Sequence, residues 1–197
     1  MIELRYDKEI ERLLVKSDAL LDGHFILSSG LHSDKYVQCA KFFQYPEYSR
    51  IAGEKLAKLY SLDEIDVVIG GAFGGIVIAY AIAQVLGVRA IFAERVDGVF
   101  NLRRGFEILP EERVLIAEDV ITTGKSIREV MELVIKHNGD IAGVASLIDR
   151  NMEEPEDITY RVEWLYSVQA KAFKPEECPL CKKGKIPAIK PGSRGLS

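Results

Sequence analysis

The sequence predicts an α/β protein with a mostly parallel central sheet, flanking helices and a small N-terminal cap. Three observations carry this expectation. From residue 66 onward, short β-branched runs alternate with helical stripes, the rhythm of right-handed crossovers between parallel strands. Glycine pairs stand directly behind one of these runs, at Gly70-Gly71 and Gly74-Gly75. The segment VLIAEDVITTGKS, Val114 to Ser126, sets two adjacent acids and a Thr/Gly turn between an apolar run and a helical one.

The elements follow in order. Ile10, Leu13, Leu14, Ser17 and Leu21 form a helical stripe. Phe25 to Gly30 breaks it, and Ser-Ser-Gly reads as a turn. Pro46 to Tyr60 returns to helix, with Tyr48, Ile51, Ala52, Leu56 and Leu59 on one face. Asp66 to Ile69 is a strand, Ile76 to Leu86 an apolar helix stopped by Gly87, and Ala90 to Ala93 a second strand. Glu94 to Gly105 is charged and reads as a hairpin or mobile loop around Asp97-Gly98. Val114 to Ala117 is a third strand. Ile127, Val130, Met131, Val134 and Ile135 mark a periodic helix, closed by Asn138-Gly139. Ile141 to Ile148 and Arg161 to Ala170 are further strands. The first sixty residues do not share the rhythm and are assigned to the cap. The expected division is a single domain over 1–174, with a hood drawn largely from 1–45 and a core over about 46–170. An irregular appendage follows over 175–197.

Composition narrows the function classes. Apolar residues make up 48% of the 197 positions, enough for a normal core. A net charge of −4 argues against a nucleic-acid binder. No N-terminal run resembles a signal peptide, and Gly74 to Leu86 is too short for a membrane span. Three cysteines do not make a disulfide framework. A cytoplasmic location is expected.

The acidic pair carries the chemistry. Ligands of open α/β sheets bind at the carboxyl ends of strands, where Glu118 and Asp119 fall. Thr122, Thr123, Gly124, Lys125 and Ser126 then lead into a helix, whose first N–H groups attract phosphate. A ligand with a phosphate at one end, and hydroxyls or a bound divalent cation beside it, would match both halves. Helix capping is the plainer reading, since Ser126 and Glu129 have capping-box spacing. It leaves the carboxylate pair unexplained. A Walker A loop requires a glycine at position 119, which is Asp. Acid pairs of glycosidases face each other across a substrate and need not be neighbours in the chain.

Val114 to Ser126 resembles the phosphoribosyl pyrophosphate signature of type I phosphoribosyltransferases. FILSSGLHSDKY (Phe25 to Tyr36) and GGAFGGIVIA (Gly70 to Ala79) are similar to the N-terminal element and pyrophosphate loop of the orotate branch. FAERVDGVFNLRRGFEI (Phe92 to Ile108) and the tail CPLCKKGKIPAIKPGSRG resemble one bacterial subgroup. The resemblance spans the chain from about residue 20 to the end. It implies the type I phosphoribosyltransferase fold, and transfer of phosphoribosyl from its pyrophosphate to orotate with Mg²⁺, in pyrimidine synthesis. It implies that Glu118 and Asp119 hold the ribose hydroxyls. Val120, Ile121 and the Thr122 to Ser126 loop would surround the 5′-phosphate, and Ala72, Phe73, Gly74 and Gly75 the pyrophosphate. Thr122, Arg150, Ser29 and Tyr36 would meet orotate. Mg²⁺ would be held mainly by the substrate rather than by protein ligands. The family's mobile loop closes over a partner subunit, so a homodimer is implied.

The sequence departs from better-known members of this family in three places. Gly74 and Ser28 stand where those members carry Lys, and the mobile loop offers Arg95, Arg103 and Arg104 in place of a Lys and a His. Arg95 is the first candidate for the pyrophosphate contact. A solvated charged loop is the competing reading for Arg103 and Arg104. A purine phosphoribosyltransferase and a non-catalytic sensor of phosphoribosyl pyrophosphate remain as alternatives. Arg150 speaks for orotate, because a purine has no carboxylate for it.

Smaller signals are read plainly. Cys178-Pro-Leu-Cys181 has the spacing of half a zinc knuckle, but no second pair lies nearby in sequence, so an inert pair is expected. The three histidines are assigned nothing. Phe73 and Tyr36 could flank a base, with core packing as the default for an aromatic. Lys190 to Arg194 reads as a flexible basic tail.

Overall fold

The computed structural model describes residues 5–27, 29–150 and 159–191. Ser28 and the end of the basic tail lie outside them.

Helix α1 (Lys8–Lys16) starts at Asp7, whose carboxylate accepts from the Glu9 and Ile10 N–H groups, both at 3.0 Å. It ends sooner than its stripe suggests. Leu21 lies in strand β1 (Leu20–Ile26), which pairs antiparallel with β2 (His32–Val37) around the turn at Gly30. The turn is therefore confined to residues 27–31, and Phe25 and Ile26 are strand. A short helix α2 (Cys39–Phe43) and helix α3 (Pro46–Leu59) follow, the latter with proline in its first turn.

The alternating part begins with β3 (Val67–Gly71), α4 (Ala72–Leu86), β4 (Arg89–Val96) and β5 (Val99–Leu102). It continues with β6 (Arg113–Ile121), α5 (Lys125–Lys136), β7 (Asp140–Asp149) and β8 (Val162–Ser167). The main sheet has the order β5-β4-β3-β6-β7-β8. Only the β4–β5 pair is antiparallel, a hairpin turning at Asp97-Gly98. Mixed α/β architecture with a mostly parallel sheet is thus present. The Glu94 to Gly105 segment is a hairpin whose two strands extend the sheet.

Side chains alternate across the sheet and build two apolar layers. Val68, Leu115 and Ala117 face the layer containing α1, α3 and α4. Val67, Ile69, Val114 and Ile116 face the layer containing α5. Ile10, Leu14, Phe42 and Leu56 are fully buried in the first of these. Much of the first sixty residues is therefore core and not cap. Their departure from the strand-helix rhythm reflects helices laid over one face of the sheet without intervening strands.

The part that stands apart is a small sheet of β1, β2 and β9 (Ala172–Phe173). The tail is less irregular than its Lys, Pro and Gly content suggests. It forms a short helix α6 (Pro179–Lys183), and Ile189 then exchanges backbone hydrogen bonds with β1 at 2.8 and 2.9 Å. Among the described residues no helix is long and apolar enough to cross a membrane.

Candidate active site

The site follows from where the strands stop pairing. β3 turns into α4 after Gly71, so its ladder with β6 ends at Gly70 opposite Ala117. β6 runs on, paired only with β7, through Glu118, Val120 and Ile121. The acids are therefore residues of the strand, not of a loop behind it. From β3 the chain crosses to β4 on one side, and from β6 to β7 on the other. The carboxyl ends of β3 and β6 are the topological switch point where such sheets bind ligands.

The two turns close this crevice. The backbone at Gly70 lies so near the Gly75 carbonyl that an added Cβ would overlap it and come 2.7 Å from the Ile76 nitrogen. Ala72 adopts φ +59°, a left-handed conformation that a residue with a Cβ occupies at a cost. Phe73 is 91% exposed, so core packing does not account for it. Gly74 lies directly against Asp119. A Cβ there would collide with the Asp119 carboxylate and come 2.7 Å from its Cβ. The lysine expected at this place has no room while Asp119 keeps its position.

On the other side, a concave pocket is lined by Glu118 and residues 120–127. Gly124, with φ +71°, is the N-cap of α5, and the Thr123 Oγ1 accepts from the Lys125 N–H at 3.4 Å. Ser126 is thus not the cap. Its capping-box partner Glu129 instead forms an ion pair with Arg95. The Arg128 guanidinium donates to the Thr123 carbonyl at 2.9 Å and braces the turn. The arrangement offers N–H groups, hydroxyls and the exposed Lys125 amine to an anion.

Glu118 is buried, and its Oε1 accepts from the Asp119 N–H at 3.0 Å. Burial, then the neighbouring Asp119 carboxylate, push its pKa up to about 9. Glu118 is thus held toward its protonated form, and Asp119 is the less buried of the two. Beneath them lies Cys39, which the sequence reading passed over. Its Sγ is 4.0 Å from the Asp119 carbonyl oxygen. Burial, then Asp119 and Glu118, hold this thiol well above its usual range, so it is an unreactive packing group. Nothing in the sequence around a lone cysteine signals this placement.

Arg150 continues β7, and its N–H donates to the Ile121 carbonyl at 2.8 Å. That bond sets Arg150 beside Thr122. Burial works against its guanidinium charge, and Tyr36 and Cys39 are near enough to act on it electrostatically. Tyr36 comes from β2, stacks at a tilt on Phe25 at 5.6 Å, and donates its hydroxyl to Gln38 at 2.9 Å. Residues over a hundred positions apart thus meet at the carboxyl end of the sheet. Ser29 is exposed in the β1–β2 turn, its Oγ 3.5 Å from the Leu31 nitrogen.

The three loop arginines are held within the hairpin and its neighbour α5. Arg95 lies 4.0 Å over the Phe100 ring and donates to the Gly98 carbonyl at 2.6 Å, besides its pair with Glu129. Arg103 and Arg104 both pair with Glu94.

This crevice sets an acidic pair beside a turn that opens a helix, at the switch point of the sheet. The phosphoribosyl transferase domain family matches residues 41–176, and the chain belongs to that family. A protein of Caldanaerobacter subterraneus subsp. tengcongensis named orotate phosphoribosyltransferase is 51% identical over 189 residues, covering 96% of this chain and 98% of its own. One of that name from Thermotoga maritima is 48% identical, over 95% and 99% of the two chains. Among solved structures, the Aeropyrum pernix orotate phosphoribosyltransferase superposes with a TM-score of 0.70 at 24% identity, over 81% of this chain and 93% of that one. An adenine phosphoribosyltransferase from Thermoanaerobacter pseudethanolicus reaches 0.61 at 17% identity, over 68% and 88%. The fold is thus common to enzymes acting on different bases.

Proposed function

We propose that the protein is an orotate phosphoribosyltransferase. It transfers the 5-phosphoribosyl group from phosphoribosyl pyrophosphate to orotate, giving orotidine 5′-phosphate and pyrophosphate in pyrimidine synthesis. The observation that carries this reading is that Arg150 and Tyr36 lie near enough to interact, with Cys39 within electrostatic reach of both Arg150 and the acidic pair. A desolvated guanidinium beside a phosphoribosyl site suits a planar base bearing a carboxylate.

The chemistry follows from the residues. The N–H groups and hydroxyls of Thr122 to Ser126 bind the 5′-phosphate, and Val120 and Ile121 shape the floor of that turn. Asp119 accepts a ribose hydroxyl. Glu118 hydrogen-bonds the second ring hydroxyl and holds it in position, with no proton transferred. The backbone of Ala72, Phe73, Gly74 and Gly75 receives the pyrophosphate. Leaving-group departure builds positive charge at the anomeric carbon, which the Asp119 carboxylate stabilises. Orotate needs no strong base, so presenting its ring nitrogen in line supplies much of the rate. Thr122 and Arg150 fix its edge and carboxylate, with Ser29 and Tyr36 on the hood side. Arg95 leaves Glu129 to meet the departing pyrophosphate, with Arg103 and Arg104 next in order.

Mg²⁺ fits the donor set. Such an ion keeps several waters and takes one or two carboxylates beside substrate phosphates. Asp119 is the accessible carboxylate, next to the 72–75 turn. The ion would neutralise the pyrophosphate and make it a better leaving group.

The reading includes a cytoplasmic homodimer. Helix α4 leaves Phe73, Val77 and Tyr80 exposed at successive four- and three-residue steps, an apolar stripe suited to a second copy. The test is ultraviolet detection of orotate consumption with phosphoribosyl pyrophosphate and Mg²⁺, alongside Asp119→Asn and Arg150→Ala. Consumption lost in both variants supports the assignment. Turnover of a purine but not orotate overturns the base. Binding of phosphoribosyl pyrophosphate without turnover of any base favours a sensor.

A further inference from the structure

The sequence leaves the CxxC pair as structural or inert and assigns the histidines nothing; the fold brings the two sets together. His24 on β1, His32 on β2, and Cys178 and Cys181 around α6 place four ligand atoms within 4.8 Å of one another. We propose that these four residues bind one Zn²⁺ as a closed structural site fastening the C-terminal segment to the β1–β2 hairpin.

The distances suit a tetrahedron. Zn–N bonds of about 2.05 Å and Zn–S bonds of about 2.3 Å give edges of about 3.3 Å between nitrogens and about 3.5 Å between nitrogen and sulfur. His24 Nε2 lies 3.5 Å from Cys178 Sγ and 3.6 Å from Cys181 Sγ, and His32 Nδ1 lies 3.2 Å from Cys181 Sγ. The two ring nitrogens stand 2.8 Å apart, so insertion of the ion separates them by about 0.5 Å.

The surroundings select the right donor atoms. His24 Nδ1 is 3.0 Å from the Ile186 carbonyl oxygen. Donating its proton there leaves the Nε2 lone pair turned toward the cluster, the outer bond that metal-binding imidazoles typically make. His24, His32 and Cys178 are buried, and Cys181 closes the exposed side. Two thiolates and two imidazoles with no open position favour zinc over harder ions and over a catalytic metal.

The mechanical consequence is local. β1–β2 is a hairpin with one short partner strand, and such a unit holds few apolar contacts of its own. The chain end covers both of its edges, β9 along β2 and Ile189 along β1. A metal across Cys178 and Cys181 secures this arrangement and steadies the hairpin that carries Tyr36.

The test is the metal content of the full chain, purified under reducing conditions from zinc-supplemented cells and measured by elemental mass spectrometry. About one zinc per chain is expected, falling close to zero in Cys181→Ser. Cobalt added to the metal-stripped protein should give the visible bands of a tetrahedral site with thiolate charge transfer. Wild-type protein that contains no zinc and gives no such cobalt spectrum overturns the proposal. So does zinc retained in full by both Cys181→Ser and His32→Gln. Chelation should also lower the melting temperature of the wild type and leave that of Cys181→Ser unmoved.

Discussion

Replacing Gly74 by alanine tests how the pyrophosphate turn and the acidic pair are coupled. The added methyl would overlap the Asp119 carboxylate and come 2.7 Å from Asp119 Cβ, closer than carbon atoms tolerate. Rotating the carboxylate relieves the first clash but not the second, so Asp119 must shift as a whole. Gly74 sits at the rim of the crevice and is not in either apolar layer, so the fold absorbs the change. A hydrogen bond between a charged group and its partner contributes about 1.5–3 kcal/mol. Losing the Asp119 contact to the ribose should then weaken phosphoribosyl pyrophosphate about 10- to 150-fold, with the orotate KM changed far less. Calorimetric titration of phosphoribosyl pyrophosphate with Mg²⁺, paired with a thermal melt, measures both sides. An unchanged affinity in a correctly folded Gly74→Ala protein would refute the coupling. It would show that the turn has room for a side chain after all, and that the missing lysine needs another explanation.

Other outcomes follow from the same geometry. Glu118 has its folded pKa raised from the ordinary 4.5 to about 9, so the folded state keeps a proton that the unfolded chain releases. Its contribution to stability is full below about 4.5 and declines up to about 9, by about 1.4 kcal/mol per pH unit for a single such group. Glu118→Gln keeps the neutral shape and loses that slope, so urea unfolding at pH 6 and pH 8 should favour the variant increasingly with pH; parallel curves would contradict this. Arg150→Lys should raise the orotate KM about tenfold or more, because an ammonium does not replace the planar fork, while the affinity for phosphoribosyl pyrophosphate stays near wild type in direct titration. Arg95→Ala should lower kcat more than either KM in steady-state kinetics, and Arg104→Ala should change them little, since Arg104 is exposed and tied to Glu94. Tyr80→Glu should convert the proposed dimer to monomer in sedimentation equilibrium.

By itself the sequence determined the repeating part of this protein. Periodicity marked α3 and α5, because a helix with one partner layer shows its apolar face locally, and continuous apolar runs marked β3 and β6, which are covered on both faces. It also singled out the acids and the Thr/Gly turn, since two carboxylates behind an apolar run have no role in packing. Tertiary structure decided what depends on distant residues meeting. Pairing with β7 carried β6 through Glu118 and Asp119, and the early end of the β3 ladder left them open. Burial then set the two acids apart, Glu118 enclosed and pushed toward its protonated form, Asp119 half-buried. The clash at Gly74 came from a neighbour 45 positions away in sequence, Asp119. His24 and His32 meet Cys178 and Cys181 only because the chain end folds back onto the first hairpin. Spacing along the chain registers one helix or one turn, whereas this cluster is assembled by backbone pairing of the chain end with the first hairpin, across more than 140 residues.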